Sequence, residues 1–147
     1  MITSVELSNF LSHRNNEIKF DHGVTVLLGH NGAGKSTIMD AIIFSMFGKW
    51  GNRDSVGKLQ KEGENQTYAK TSFEINGKIY HVVRKIQNGT TKAHELTDES
   101  GSLITKSATE TETKIKELIE LDYNELRIAS IVASDELTRI INVGSEL

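Results

Sequence analysis

Residues 29–37 read Gly-His-Asn-Gly-Ala-Gly-Lys-Ser-Thr, and they constrain the fold more than any other part of the chain. The spacing Gly29-x-x-x-x-Gly34-Lys35-Ser36 completes the phosphate-loop (Walker A) pattern. An apolar β-type run, residues 24–28 (VTVLL), leads into it, and a helix-type run, residues 38–47, follows. Strand, loop and helix in that order give the pattern a physical meaning. The glycines let the backbone curl tightly and approach a ligand without Cβ clashes. The curled N–H groups then form an anion nest, backed by the positive end of the helix. Lys35 is placed to reach β- and γ-phosphates as a point charge, and the Ser36 hydroxyl to hold Mg²⁺. The segment implies an α/β P-loop fold with a site for a nucleoside triphosphate.

With 147 residues the chain is long enough for one domain with a real core. It has no cysteine, which excludes disulfides and thiolate metal sites. No apolar stretch reaches membrane-spanning length, and the start, Met1-Ile2-Thr3-Ser4, lacks a basic segment leading into an apolar one. A soluble, cytoplasmic protein without a membrane partner is therefore expected. His13, His22, His30, His81 and His94 show no metal-ligand spacing, and His30 is read as a solvent-facing loop position. The net charge of −3 is unevenly spread: residues 49–92 carry nine basic and four acidic side chains, and residues 93–147 five and twelve. The basic middle, with Lys58, Lys61, Lys70, Lys78, Arg84 and Lys85, is a candidate face for nucleic-acid phosphates. An ordinary solvated pair of hairpins would carry the same charge.

Val5 and Leu7 alternate with polar residues as in a half-buried strand, Asn15-Asn16 reads as a turn, and residues 17–20 alternate again. The wholly apolar run 24–28 suits a strand covered on both faces. The helix after the phosphate loop is apolar nearly all round, with Asp40 its only charge, and is read as buried; Gly48 and Gly51 end it. Residues 49–67 look irregular. Asn76-Gly77 between two apolar runs predicts a hairpin, and a second pair of extended segments lies around Asn88-Gly89 and Ser100-Gly101. Ser107-x-x-Glu110 and Asp122-x-x-Glu125 resemble capping boxes that open two short helices. The sum is a mixed β-sheet with hairpins around a P-loop and its buried helix.

Hydrolysis needs more than a phosphate cradle: a carboxylate at the end of a buried strand and a group that orients the attacking water. No apolar run followed by an acidic pair lies downstream, and Asp135-Glu136, after the short run 131–134, is read as a loop. The absence of an Asn-Lys-x-Asp motif favours ATP over GTP.

Several segments recur in the order of one family: Asn9-Phe10-Leu11-Ser12-His13, the phosphate loop with Asp40-Ala41-Ile42, and Asn76-Gly77-Lys78-Ile79-Tyr80. Val83-Arg84-Lys85, Leu121-Asp122-Tyr123 and Ser134-Asp135-Glu136-Leu137 follow. Across nearly the whole chain this resembles the N-terminal ATPase lobe of the SbcC/Rad-fifty family, the DNA double-strand-break repair members of the SMC-like ABC ATPases. The resemblance implies that residues 1–147 form one lobe of an ABC-type head. A coiled coil and a C-terminal lobe with signature motif, Walker B and switch histidine would lie elsewhere, so that the chain looks like an excised lobe. It further implies two heads sandwiching two ATP molecules, a partner nuclease of the SbcD (Mre-eleven) type, DNA as target, and a nucleoid-associated location. Taken alone, the chain is expected to bind Mg-ATP with negligible turnover.

By the same resemblance Asn31, Gly32, Ala33, Gly34, Lys35, Ser36 and Thr37 are the phosphate-binding positions, with Lys35 catalytic. Lys61, Glu62 and Gly63 match a segment near base and ribose. Ser36 and Ser134 are the metal positions, and Ser134 stands where relatives carry a glutamine, so it is short enough to need an intervening water. Leu11 occupies a position where many relatives have arginine, and Arg14 is read as an ordinary surface residue rather than its substitute. The different-class alternative is the head lobe of a structural, chromosome-organising SMC protein. A transporter nucleotide-binding domain and a small-molecule kinase fit less well, since only Phe20 offers an aromatic before the loop and no arginine-rich lid follows.

Overall fold

A computed structural model of the protein describes residues 1–50 and 56–130. Its frame is a six-stranded sheet with a buried helix laid across one face. The strands are β1 (Ile2–Phe10), β2 (His13–Lys19), β3 (Gln66–Ile75), β4 (Lys78–Gln87), β5 (Thr90–Asp98) and β6 (Leu103–Thr105), in spatial order β2-β1-β3-β4-β5-β6. The helices are α1 (Lys35–Phe47), α2 (Ala108–Ile119) and α3 (Tyr123–Ser130), and a 3-10 turn spans Val56–Leu59. Every strand pair is antiparallel, so the described sheet is not mixed as the sequence suggested.

Period-two alternation decides which face α1 covers. Val5 and Leu7 stand opposite Thr71 and Ala69, which stand opposite Val82 and Arg84, and all six are buried. Against them α1 buries Ile38, Ala41, Ile42, Phe44, Met46 and Phe47, with Phe10 and Phe44 at 6.0 Å between ring centroids. Each of these side chains larger than Ala41 contributes roughly 1.5–3 kcal/mol by leaving water. Ser45 faces the same core and exchanges a 2.6 Å hydrogen bond with Thr71 Oγ1, so its hydroxyl is not stranded. Gly48 ends α1 in the left-handed region (φ 69°), with its N–H on the Phe44 carbonyl at 2.7 Å.

The Asp122–Glu125 capping box forms in full, and at Ser107 the side-chain cap forms. Ser107 Oγ accepts from the Glu110 N–H, while Asp122 and Glu125 satisfy each other's backbone N–H groups at 2.9 and 2.7 Å. Both Asn-Gly hairpins form too, Asn76 and Asn88 each taking positive φ before its glycine.

Three expectations fail. Asn15-Asn16 is no turn: β2 runs through it, and the chain reverses instead at Leu11-Ser12, where Asn9 and Leu11 take φ of 49° and 48°. The strand before Asn76 starts at Gln66, six residues before its apolar part, because Thr67, Ala69 and Thr71 are inward residues too small to read as a hydrophobic stripe. The run 24–28 forms no strand, and Val24, Val26 and Leu28 are 93, 69 and 89 % exposed. A strand covered on both faces needs neighbours, and none of the described strands flanks this one. Gly51 lies outside the described residues, and among the described helices none is long and apolar enough to cross a membrane.

Candidate functional site

The phosphate loop sits where α1 begins, beside the turn between β1 and β2. Gly32 and Gly34 take φ of 82° and 89°, which side chains rarely adopt. The Ala33 N–H closes a turn onto the His30 carbonyl at 3.1 Å. A Cβ on Gly34 would lie 2.6 Å from both His13 Nε2 and Ser12 Oγ, so any side chain there would have to push both of them aside. No side chain caps α1 at Gly34, and its first turn holds no acidic residue. Its leading N–H groups are left for an external acceptor.

Lys35 folds back across this loop. Its ammonium donates to the carbonyls of Gly29 and His30 at 2.6 and 2.8 Å. Ser36 is exposed, whereas Thr37 is buried against the body of the domain. Together Leu11, Ser12, Asn31, Gly32, Gly34, Lys35, Ser36 and Thr37 line an open groove of about 470 Å³. Of the expected phosphate positions only Ala33 is not among the lining residues; it faces solvent.

The segment after the 3-10 turn is tied to the same place. Leu11 N–H donates to the Leu59 carbonyl at 2.8 Å and Lys61 N–H to that of Asn9 at 2.9 Å. Lys61 Nζ thereby comes within 3.5 Å of the Ser12 carbonyl at the groove rim. Glu62 and Gly63 lie in the exposed turn beyond it, Gly63 at φ 83°, and do not line the groove. Arg14 is exposed on β2. Ser134 and Asp135-Glu136 lie outside the described residues.

The residues present suit a magnesium ion only in company. Among the described residues no three His, Asp or Glu side chains are grouped to hold one. The exposed Ser36 hydroxyl at the groove is one oxygen, which fits an ion whose other partners are phosphate oxygens and water.

The basic middle divides sharply. Lys58, Lys78 and Lys85 are exposed, and Lys85 lies 6.0 Å from the Tyr68 ring centre, in a second groove of about 500 Å³ that also includes Lys92. Burial, then Glu6 and Glu95, push the Tyr68 hydroxyl up to about 12. Lys70 is occupied by Glu6 at 2.7 Å. Arg84 cannot meet a nucleic acid, being 1 % exposed. It donates to the Ser45 and Met46 carbonyls at 2.8 and 3.0 Å, and to His94 Nδ1 on the neighbouring strand. Burial pushes its guanidinium down to about 10, offset by Glu112, and it stays charged at neutral pH.

Sequence reasoning missed this role, and the signal was available: Arg84 shares its parity with Val82 and Ile86 on a strand whose inward face is buried. It also gave Ser12 and His13 no function, although both were quoted within the Asn-Phe-x-Ser-His run.

A family model described as an AAA domain matches residues 4–145. A DNA double-strand break repair Rad50 ATPase from Sulfurisphaera tokodaii is 38 % identical over 145 residues, covering 95 % of this chain. A protein of the same description from Sulfolobus acidocaldarius is 35 % identical over 147 residues, covering 97 %. The chain spans only about 16 % of the length of these two relatives. A solved structure from work on ATP-driven dimerization and DNA-stimulated activation of SMC ATPases superposes with a TM-score of 0.73 at 22 % identity. It covers 95 % of this chain and 90 % of its own, a likeness of fold. The chain thus belongs to the AAA domain family, in its Rad50/SbcC-like ATPase branch.

Proposed function

We propose that this chain is the ATP-binding half of a DNA double-strand-break repair ATPase, one lobe of an ABC-type head over residues 1–147. One observation carries the reading: the uncapped start of α1, the left-handed glycines and the Lys35 ammonium share one open groove. In it Asn31, Gly32, Ala33, Gly34 and Thr37 shape the phosphate cradle. Lys35 trades its two loop carbonyls for β- and γ-phosphate oxygens, neutralising charge as it develops. Ser36, joined by Ser134, holds Mg²⁺ beside those phosphates. Lys61 reaches toward the nucleotide from the rim, followed by Glu62 and Gly63.

The missing carboxylates and signature motif come from a C-terminal lobe and from a second head that meets this one across ATP. The exposed run 24–28 supports that reading, because its apolar side chains lack the flanking strands their pattern calls for. ATP-driven closure then controls a nuclease of the SbcD (Mre-eleven) type on DNA ends, in the nucleoid of the cytoplasm. Of the six candidate cations Lys58, Lys61, Lys78 and Lys85 remain exposed or half-exposed for DNA contact. Each phosphate neutralised adds about 0.9 to the salt slope on duplex DNA.

The test is phosphate release from Mg-ATP. The chain alone should turn ATP over negligibly, and adding a separately expressed C-terminal lobe should start hydrolysis at a rate rising more than linearly with protein. Sustained turnover by the pure chain, lost on Lys35→Ala, would mean that it holds a complete active site.

A further inference from the structure

We propose that His13 is a positioning residue for nucleotide binding: it seats the phosphate loop on the β1–β2 turn by donating from Nε2 to the Gly34 carbonyl. The inference rests on the nucleotide reading of the groove and adds a residue outside the phosphate-loop motif. The two atoms are 3.1 Å apart, and a carbonyl only accepts, so Nε2 carries the proton. Gly34 is the last residue before α1. Its carbonyl belongs to the planar peptide whose N–H is that of Lys35, and in a trans peptide the two point in opposite directions. Fixing the carbonyl toward His13 therefore turns the Lys35 N–H the other way. That N–H is among the leading donors of α1 that no side chain caps.

Two further observations make the contact a seat rather than an incidental touch. Ser12 and His13 approach Gly34 so closely that any side chain there collides with both, so loop and turn are packed without a gap. The turn itself is held from several directions. Asn9 accepts at its carbonyl from the Lys61 N–H and from Thr67 Oγ1, both at 2.9 Å, and Leu11 donates its N–H to Leu59. Leu11 keeps a left-handed backbone (φ 48°) that an apolar residue adopts only when its surroundings impose it. A rigid turn thus presents the imidazole, and the same turn carries Ser12, whose carbonyl lies beside Lys61 Nζ. Phosphate loop and rim lysine share one support.

The experiment compares wild type, His13→Ala and His13→Gln in the full 147-residue chain. Calorimetry gives the Mg-ATP affinity, and ¹H–¹⁵N spectra without nucleotide give the Lys35 and Ser36 amide resonances. Loss of the donor should weaken Mg-ATP about tenfold, the scale of one hydrogen bond. His13→Gln, which keeps an N–H donor, should recover most of it, and the nucleotide-free unfolding midpoint of each variant should stay within about 4 °C of wild type. The two amide resonances should move in His13→Ala and return toward wild type in His13→Gln. Unmoved resonances, equal losses in both variants, or affinity falling only in step with the midpoint would each overturn the proposal. Absence of Mg-ATP binding by wild type would sink the nucleotide reading instead, while the amide resonances would still decide whether His13 seats the loop.

Discussion

Arg84 is the one charged side chain that the described core takes in whole. Among the described residues no carboxylate pairs with it; instead it spreads its donors over the last carbonyls of α1 and the ring of His94. Those carbonyls are unpaired within the helix, so the arginine stands in for the capping that water provides at a surface helix. Arg84→Met keeps similar bulk and strands two buried acceptors. It should lower stability by about 2–4 kcal/mol. The urea midpoint should fall with an unchanged slope, and an unaltered midpoint would refute the capping role.

His94 accepts from Arg84 and so must be unprotonated at Nδ1. Burial first, and the Arg84 charge second, hold it below its ordinary value of 6.5. His81, which shares a 2.8 Å hydrogen bond with Ser72, is lowered by burial and Lys70 against the pull of Glu6 and Asp98. Both are therefore easier to protonate in the unfolded chain. Their contribution to stability is fully present above about pH 6.5 and is lost as pH falls through their lower folded values. Thermal unfolding between about pH 7.5 and pH 5 should show that decline, and His94→Gln, which cannot titrate, should make it shallower. Superimposable curves would exclude His94. The carboxyls of Asp98 and Asp122, both held low chiefly by hydrogen bonds, titrate in a more acidic window.

The end of α1 shows what an element can and cannot reveal in sequence. Gly48 after an apolar run announces a helix stop, and the structure has it. That the same glycine is pressed by a side chain from β4 is invisible in a linear pattern. A Cβ at Gly48 would lie 3.0 Å from Arg84 Nη1 and 3.1 Å from Cζ, whereas at Gly77, also left-handed, it would meet nothing within 4 Å. Both Gly→Ala changes carry the left-handed penalty of about 1–2 kcal/mol. Gly48→Ala should cost clearly more, because the buried guanidinium has no space to retreat. Equal losses in parallel denaturation curves would show that Arg84 yields. Local signals such as the two side-chain caps and the Asn-Gly turns were legible for the converse reason: every group they need lies within four residues. The turn at Leu11-Ser12 was not, since a left-handed leucine is imposed by Leu59 and Lys61 from beyond the phosphate loop.

At the scale of the molecule, the site was legible where it is one contiguous motif and hidden where it is assembled. The phosphate loop, its helix and the family could be read from residues 29–47 and a handful of short runs. His13 was given no role, and Lys61 was reached only through the family resemblance, because the fold joins three stretches of chain at that groove. The run 24–28 is the opposite case: its pattern describes a covered strand, and its exposure shows that a pattern reports the surroundings a segment needs, not those it has. On the proposed account those surroundings belong to a C-terminal lobe, and the chain by itself is a binder.

The most direct test of that account is a calorimetric titration of Mg-ATP into the wild-type chain and into Lys35→Ala. Among the described residues the Lys35 ammonium bonds only exposed loop carbonyls, so the variant should keep the far-UV circular dichroism of wild type. Saturable one-site binding by wild type, abolished in Lys35→Ala, is the predicted result. Wild-type affinity retained by a folded Lys35→Ala, or no binding by either protein, would contradict it.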